Sequence, residues 1–132
     1  MRVVLDCNVV ISAGLSAYPG TCRKSIIKAF DEFEVIITDS IIAEYKLVGS
    51  RNKFSKNSHI IFNLIEIIEA SSLKIDDKII DGIVLPDAND VIYLYAAMNS
   101  KAKYLITGNA KHFPKETYIP VTVISPRDFL EI

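Results

Sequence analysis

The sequence predicts an α/β fold of three layers, α/β/α, in which helices cover both faces of a mainly parallel central sheet. Short runs of β-branched residues alternate with segments of helical periodicity along nearly the whole chain. This alternation is typical of parallel strands joined by helical crossovers. At 132 residues the chain is long enough for one hydrophobic core, and no repeat, linker or low-complexity segment divides it. We therefore interpret residues 1–132 as a single domain.

The first half of the chain predicts two strands and three helices. A first strand is predicted at 2–7, because these residues begin an apolar run that extends to residue 11, as in a strand buried on both faces. Residues 34–38 indicate a second strand. Helices are predicted at 20–33, 39–48 and 58–71, because each segment repeats apolar residues three and four positions apart. The first of these helices follows a Pro-Gly pair. The predicted apolar faces of the three helices consist of Cys22, Ile26, Ile27, Phe30, Ile41, Ile42, Tyr45, Val48, Ile61, Leu64, Ile65 and Ile68.

The second half of the chain predicts three more strands. They lie at 73–75, 103–108 and 121–125, and a helix is predicted at 90–100 between the first two. A terminal helical turn begins at Pro126, since proline is favoured at the first position of a helix. A polar, basic connection is predicted at 49–57, and loops are predicted at 83–90 and 109–114.

Composition excludes several classes of protein. Half of the residues are hydrophobic and 23% are charged, which excludes a disordered chain. Cys7 and Cys22 show no zinc-binding spacing, so we interpret them as small buried residues in a reducing compartment. The sequence has neither signal-peptide architecture at its start nor the roughly 20 apolar residues of a membrane span. We expect a soluble, cytoplasmic protein with no membrane partner.

Charge is unevenly distributed, although the net charge is only −1. Acidic residues are absent from 46–65 and from 91–115. The basic residues of these two segments are Lys46, Arg51, Lys53, Lys56, Lys101, Lys103, Lys111 and Lys115. Such segregation is compatible with a basic surface around an acidic centre, which a nucleic acid would recognise. Solvated helix ends and loops explain the charge pattern equally well.

A lone carboxylate, Asp6, ends the predicted first strand. Burying an unpaired carboxylate costs several kcal/mol, so Asp6 must meet water, a metal or a partner. Asn109 follows a later strand, directly after Thr107 and Gly108. Ligands of parallel α/β proteins bind beyond the carboxyl ends of the strands, which is where Asp6 and Asn109 fall. For Asn109, turn chemistry alone remains an alternative.

Further acidic candidates lie on the predicted helices. Glu44 lies beside the apolar stripe of its helix and four residues after Ser40, so a capping box does not explain it. A solvated helix glutamate remains an alternative for Glu44. Asp90 lies at a helix start, where complementing the helix dipole is the simpler explanation for this residue alone. Asp87, three residues earlier in the loop, has the same status.

Taken together, these residues predict a metal site. Asp6, Glu44, Asp90 and Asn109 come from four separate elements that are expected to meet at one crevice. A group of carboxylates without a matching Arg or Lys favours a bound divalent cation, and Mg²⁺ or Mn²⁺ prefers oxygen ligands of this kind.

The arrangement resembles the PIN domain, a nuclease fold found in the toxin subunits of many bacterial and archaeal toxin–antitoxin pairs. The resemblance covers almost the full chain in order, and its four motifs together are far more specific than any one of them. The matching pieces are "VVLDCNVVISA", "SIIAEY", "LPDANDVIYLYAAMNSKAKYLITGN" and then "KHFP" with "ISPRDFL".

The resemblance implies a role for each matching residue. Asp6, Glu44 and Asp90 become the metal-binding acids, and Asp87 becomes an auxiliary acid. Asn8 orients the first acid, and Ser40 and Thr107 contribute supporting hydroxyls. The sequence departs from the commonest pattern at Asn109, where many relatives carry Asp; an amide can bind a metal through its oxygen but brings no charge, which puts a second metal in doubt.

The activity implied by the resemblance is Mg²⁺- or Mn²⁺-dependent cleavage of single-stranded or looped RNA. The implied partners are the RNA substrate, an antitoxin protein, and further copies of the chain in a homodimer or higher oligomer. The residues expected to bind the RNA backbone are Lys46, Arg51, Lys53, Lys56 and Lys111. The alternative is a catalytically weak or inactive domain of the same fold that only binds RNA or protein, for which Asn109 is the main argument.

Other acidic-site folds fit less well. A haloacid-dehalogenase-like phosphatase needs a second acid at the position of Asn8. A response-regulator receiver needs adjacent acids after the first strand and a lysine after the last, and the sequence has neither. The five glycines form neither a P-loop nor a dinucleotide-binding motif.

Overall fold

Six strands and six helices make up the part of the chain that the computed structural model describes, residues 1–16, 20–115 and 117–132. The strands are β1 (Arg2–Leu5), β2 (Glu34–Ile37), β3 (Leu73–Lys74), β4 (Tyr104–Ile106), β5 (Thr117–Tyr118) and β6 (Val121–Ile124). The helices are α1 (Cys7–Leu15), α2 (Thr21–Glu32), α3 (Asp39–Gly49), α4 (Ser58–Ser71), α5 (Val91–Asn99) and α6 (Pro126–Leu130). Short 3-10 turns cover Asn52–Asn57, Ala88–Asp90 and Ala110–His112.

The predicted α/β fold with a mainly parallel sheet flanked by helices is confirmed. The strand order is β3-β2-β1-β4-β6-β5, and only β5 runs antiparallel to its neighbour. The central strand β1 pairs with β2 through Val3 and Val35 and with β4 through Val3 and Tyr104. Helix α5 packs against β1, β2 and β4, while α1 packs against α2, α3 and α4. The fully apolar runs in β1, β2 and β4 are explained by this central position, which buries them.

The largest difference from the prediction is helix α1. The strand predicted at 2–7 ends at Leu5, and the apolar residues after Asp6 belong to a helix instead of a longer strand. The backbone turns at Asp6, whose carbonyl accepts a hydrogen bond from the Val9 amide at 3.1 Å. A continuous apolar run does not distinguish a buried strand from a buried helix, and α1 is buried along most of its length.

Smaller differences concern short or exposed elements. Strand β5 has only two residues, and it gave no periodic signal. The connection predicted at 49–57 contains a 3-10 turn, and Ile27, predicted on the apolar face of its helix, is 52% exposed. Pro19, which precedes that helix, lies outside the described residues. Within the described ranges, no helix combines the length and apolar character needed to cross a membrane.

The packing of α1 on α4 leaves no room for a side chain at Gly14. A Cβ added there would lie 2.6 Å from Ile61 Cγ1 and 3.2 Å from the Ile61 Cα. Because the second atom belongs to the backbone of α4, rotation of the side chain cannot relieve the overlap. We expect Gly14→Ala to lower the free energy of unfolding by about 1–3 kcal/mol, measured by urea denaturation. Gly49→Ala is a matched control, because the three atoms nearest to its added methyl all belong to side chains, the first being Ile61 Cγ2 at 3.0 Å, and none to the backbone of α4. An equal loss in the two variants would contradict this explanation.

Candidate active site

A cleft opens where β1 and β4 end, at the edge of the sheet where the sequence predicts the site. Its volume is about 350 Å³. The polar side chains that line it are Asp6, Asn8, Ser12, Arg51, Asp90 and His112, and the remaining lining residues are Cys7, Ile11, Leu15, Val48 and Phe54.

Asp6 is a buried carboxylate held in one orientation. It follows β1 directly, and its backbone amide donates to the Ile106 carbonyl at 2.9 Å, which continues the pairing of β1 with β4. Its Oδ2 accepts hydrogen bonds from Thr107 Oγ1 at 2.7 Å and from Asn8 Nδ2 at 3.2 Å. Only 2% of Asp6 is exposed. Burial raises the pKa of Asp6 from 3.8 to about 6; the Thr107 hydrogen bond opposes this rise, and the charge of Asp90 adds to it.

Asn8 joins the start of α1 to the turn after β4. Its Nδ2 donates to Asp6, while its Oδ1 accepts a hydrogen bond from the Gly108 amide at 2.9 Å. A side chain at Gly108 would crowd this contact, since an added Cβ would lie 3.3 Å from Asn8 Oδ1. The structure thus brings together Asp6 and the two polar residues, Asn8 and Thr107, that the sequence associates with it.

Asp90 lies across the cleft at the start of α5, with 9% of its surface exposed. Its side chain makes no capping hydrogen bond to the helix, so capping does not account for it. Burial raises the pKa of Asp90, nearby His112 opposes the rise, and the charges of Asp87 and Glu44 add to it.

His112 is a site residue that the sequence prediction missed. Its Nδ1 lies 2.9 Å from Asp90 Oδ2, an ion-pair distance, although the ring N–H is not well aligned for a hydrogen bond. Its Nε2 lies 2.9 Å from Asn109 Nδ2. The sequence did offer a signal for His112: it is one of only two histidines in the chain, and it lies in "KHFP", just beyond the end of a predicted strand.

Comparison with known proteins agrees with this fold. A sequence model of the PIN domain matches residues 2–111. The chain belongs to the PIN domain family. A solved structure of VapBC2 from Rickettsia felis, in which VapBC2 is bound to a fragment of its promoter DNA, matches the fold of this PIN domain with a TM-score of 0.66. That match has 17% sequence identity and covers 95% of this chain and 98% of that chain. No curated protein sequence matches the chain.

Other residues that the resemblance points to are arranged less closely in this PIN domain. Glu44 is half-buried on α3, and its charge contributes to raising the pKa of Asp90. Asp87 is exposed and accepts a hydrogen bond from the Asn89 amide at 2.9 Å, so it caps the 3-10 turn before α5. Ser40 lies in the first turn of α3, where its backbone amide donates to Asp77 Oδ2 at 3.1 Å.

Cys7 lines the cleft but is not a nucleophile. Burial raises the pKa of the Cys7 thiol to about 12, and the charges of Asp6 and Glu44 add to the rise. The thiol is therefore protonated at neutral pH, whereas a reactive cysteine needs a thiolate. Its predicted buried state is confirmed, whereas Cys22 is only partly buried.

The donor chemistry of the PIN domain cleft fits a divalent cation. Asp6 and Asp90 offer carboxylate oxygens in a partly desolvated site, and each has a pKa raised in part by other carboxylates, a repulsion that a cation would relieve. Among the described residues, no three His, Cys, Asp or Glu side chains lie close enough together to hold an ion as they stand. Arg51 and His112 also line the cleft, so the carboxylates do have neighbouring cationic or basic groups, contrary to the sequence interpretation.

The predicted RNA-binding residues differ in their surroundings. Arg51 lines the cleft itself, next to the acids. Lys46 forms an ion pair with Glu69 at 3.6 Å, and Lys53 lies over the ring of Phe54, 5.1 Å from its centroid. Lys56 and Lys111 are exposed.

Proposed function

We propose that this PIN domain is a metal-dependent endoribonuclease and the toxin component of a toxin–antitoxin pair. The observation that carries the proposal is the buried carboxylate Asp6, oriented by Asn8 and Thr107, in the same cleft as Asp90. Two partly desolvated acids, one directly after β1 and one at the start of α5, are costly to the fold, so a role in binding a cation explains them better than packing does.

Asp6, Glu44 and Asp90 would hold the Mg²⁺ or Mn²⁺ ion, with Asp87 as an auxiliary acid. Such an ion supplies Lewis-acid stabilisation of the charge that develops on the scissile phosphate. Thr107 and Asn8 keep the Asp6 carboxylate in its orientation through their hydrogen bonds to Oδ2. Ser40, four residues before Glu44 on α3, is proposed to support that helix end of the site.

The proposed substrate is single-stranded or looped RNA. Arg51, which lines the cleft, would meet a phosphate there, and the exposed lysines at 53, 56 and 111 would contribute further positive charge. Apolar side chains on the same cleft wall, such as Phe54 and Leu15, offer contact to unpaired bases.

The decisive experiment is cleavage of single-stranded RNA by the purified protein with Mg²⁺ or Mn²⁺, against a chelator control. Cleavage that requires the metal supports the proposal. Binding of the RNA with or without metal, and with no cleavage, would favour the second candidate, a domain that only binds RNA or protein. Asn109 and the absence of a ready three-acid cluster among the described residues favour that candidate.

An antitoxin is the proposed protein partner, supported by the fold likeness to a VapBC2 complex. Helices α2 and α4 border a groove with the exposed side chains of Ile27, Ile60 and Ile67, a surface suited to an apolar segment of such a partner. A small neighbouring gene whose product co-purifies with this chain would support the pairing.

A homodimer or higher oligomer is also proposed, and light scattering of the purified chain tests it.

Arg51, Lys53 and Lys56 are expected to bind phosphates. Changing all three to Ala should weaken RNA binding and flatten the slope of log affinity against log salt by about two units. The slope falls because each phosphate contact that is lost reduces the number of counterions released when the RNA binds. Binding is measured in an Asp6→Asn background, which keeps the RNA intact. The matched control removes one arginine and two lysines that are exposed elsewhere, Arg127, Lys24 and Lys78. Equal slopes in the two triple variants would mean that the 51–56 segment is ordinary solvated surface.

A further inference from the structure

His112 connects two site residues that come from different parts of the chain. It lies in the 3-10 turn after β4, with Nδ1 at 2.9 Å from Asp90 Oδ2 and Nε2 at 2.9 Å from Asn109 Nδ2. Both ring nitrogens therefore face protein atoms, so in this arrangement neither is free to bind a metal.

The contact matters because His112 is the described residue that engages Oδ2 of Asp90. No described residue makes a well-aligned hydrogen bond to Asp90 Oδ2, although the atom is buried, so the ion-pair contact of His112 at 2.9 Å is what engages it. The helix start does not hold the side chain either, since it makes no capping hydrogen bond. His112 is thus the group that engages one carboxylate oxygen and leaves the other for an ion.

Asn109 decides which ring nitrogen carries the proton. As the Asn109 amide is oriented, its Nδ2 faces Nε2 at 2.9 Å, and an amide nitrogen can only donate; this orientation assigns the ring proton to Nδ1, which faces Asp90. An aspartate at 109 has no donor and would draw the ring proton to Nε2 instead. The amide at this position, which departs from the common pattern of the family, therefore suits the neighbouring histidine.

We propose that His112 is a positioning residue that sets Asp90 for metal binding, and that Asn109 acts through His112 and not as a metal ligand. The inference rests on the proposed metal-dependent function. Groups that hold a metal ligand from behind typically change metal affinity 10–100-fold when they are removed.

The test measures Mn²⁺ affinity by titration calorimetry. His112→Ala should weaken binding about 10–100-fold. His112→Asn should bind within about fivefold of wild type, because the amide nitrogen of asparagine occupies the position of Nδ1 and can donate to Asp90. His112→Gln, which places its nitrogen near the position of Nε2, should not recover the affinity. The matched control is His59→Ala, which removes the other, exposed histidine and should leave the affinity unchanged.

A double-mutant cycle tests the role of Asn109. Asn109→Ala should weaken Mn²⁺ binding severalfold in the wild-type background and have no further effect in the His112→Ala background. Additive losses would mean that Asn109 binds the metal directly, as the sequence predicts, and would overturn its proposed action through His112. Thermal melting of each variant in chelator verifies that it is folded. If His112→Ala does not fold, the Mn²⁺ affinities of Asn109→Ala, His112→Asn and His112→Gln can still be compared with that of wild type.

Failure of this inference is distinguishable from failure of the proposed function. If wild type binds Mn²⁺ and Asp6→Asn does not, while all His112 variants bind like wild type, the positioning role is wrong and the metal site stands. If wild type does not bind Mn²⁺, both proposals are wrong.

Discussion

Asp6→Asn should reduce the rate of RNA cleavage about 10²–10⁴-fold. The substitution keeps the size of the side chain and an oxygen that can accept the Thr107 hydrogen bond, but it removes the charge of the most buried acid in the cleft. Metal-assisted stabilisation of a phosphoryl transition state contributes several kcal/mol, which corresponds to that range of rates. The measurement is the single-turnover rate of cleavage with Mn²⁺.

The control is Asp81→Asn, an exposed aspartate in the loop before α5. Its rate should match that of wild type within experimental error. A cleavage rate for Asp6→Asn within threefold of wild type would remove Asp6 from the proposed machinery, since no structural damage would mask its role.

The same substitution should stabilise the metal-free protein at neutral pH. The pKa of Asp6 is raised from 3.8 to about 6, so the folded state binds the proton more tightly than the unfolded state. The free energy of unfolding therefore falls as pH rises between these values, and the stabilising effect of the proton is lost above the folded pKa. Removing the charge should restore up to about 3 kcal/mol at pH 7.5. Near pH 4.5 the gain should fall to about 1 kcal/mol, because most of the folded protein is then protonated at Asp6.

Urea denaturation in chelator at the two pH values measures this difference, with Asp81→Asn again as the control. A gain that is equal at both pH values would trace the effect to packing and not to charge. Loss of stability at pH 7.5 would mean that the hydrogen bonds from Thr107 and Asn8 to the carboxylate outweigh the cost of burying its charge.

The fold was predictable wherever the signals are local. The bounds of α4 agree with the prediction because its apolar spacing and polar flanks lie within one short segment. Helix α1 was not predictable in the same way, because its apolar run continues that of β1 and only the turn at Asp6 separates the two. The two residues of β5 carry no periodicity, and their pairing depends on a hairpin with β6.

The candidate site was predictable as a location but not as a set of contacts. Asp6 and Thr107 each follow a strand, and neighbouring parallel strands bring their carboxyl ends together. The contact between His112 and Asp90 depends on how the turn after β4 faces the start of α5, and no sequence spacing records that orientation. Whether Glu44 completes a set of metal ligands depends on side-chain placement in the same way.

The link between Asp6 and the turn after β4 has a consequence for biosynthesis. The hydrogen bonds that orient Asp6 and Asn8 come from Thr107 and Gly108, which are 101 and 100 residues further along the chain. A growing polypeptide cannot make these bonds until β4 and its turn have left the ribosomal exit tunnel. For the proposed ribonuclease, the first acid is therefore held in its working orientation only after about a hundred further residues have been synthesised. The topology thereby separates synthesis of the first acid from assembly of the cleft, so a nascent chain that has exposed only β1 and α1 lacks the oriented carboxylate that the proposed cleavage needs.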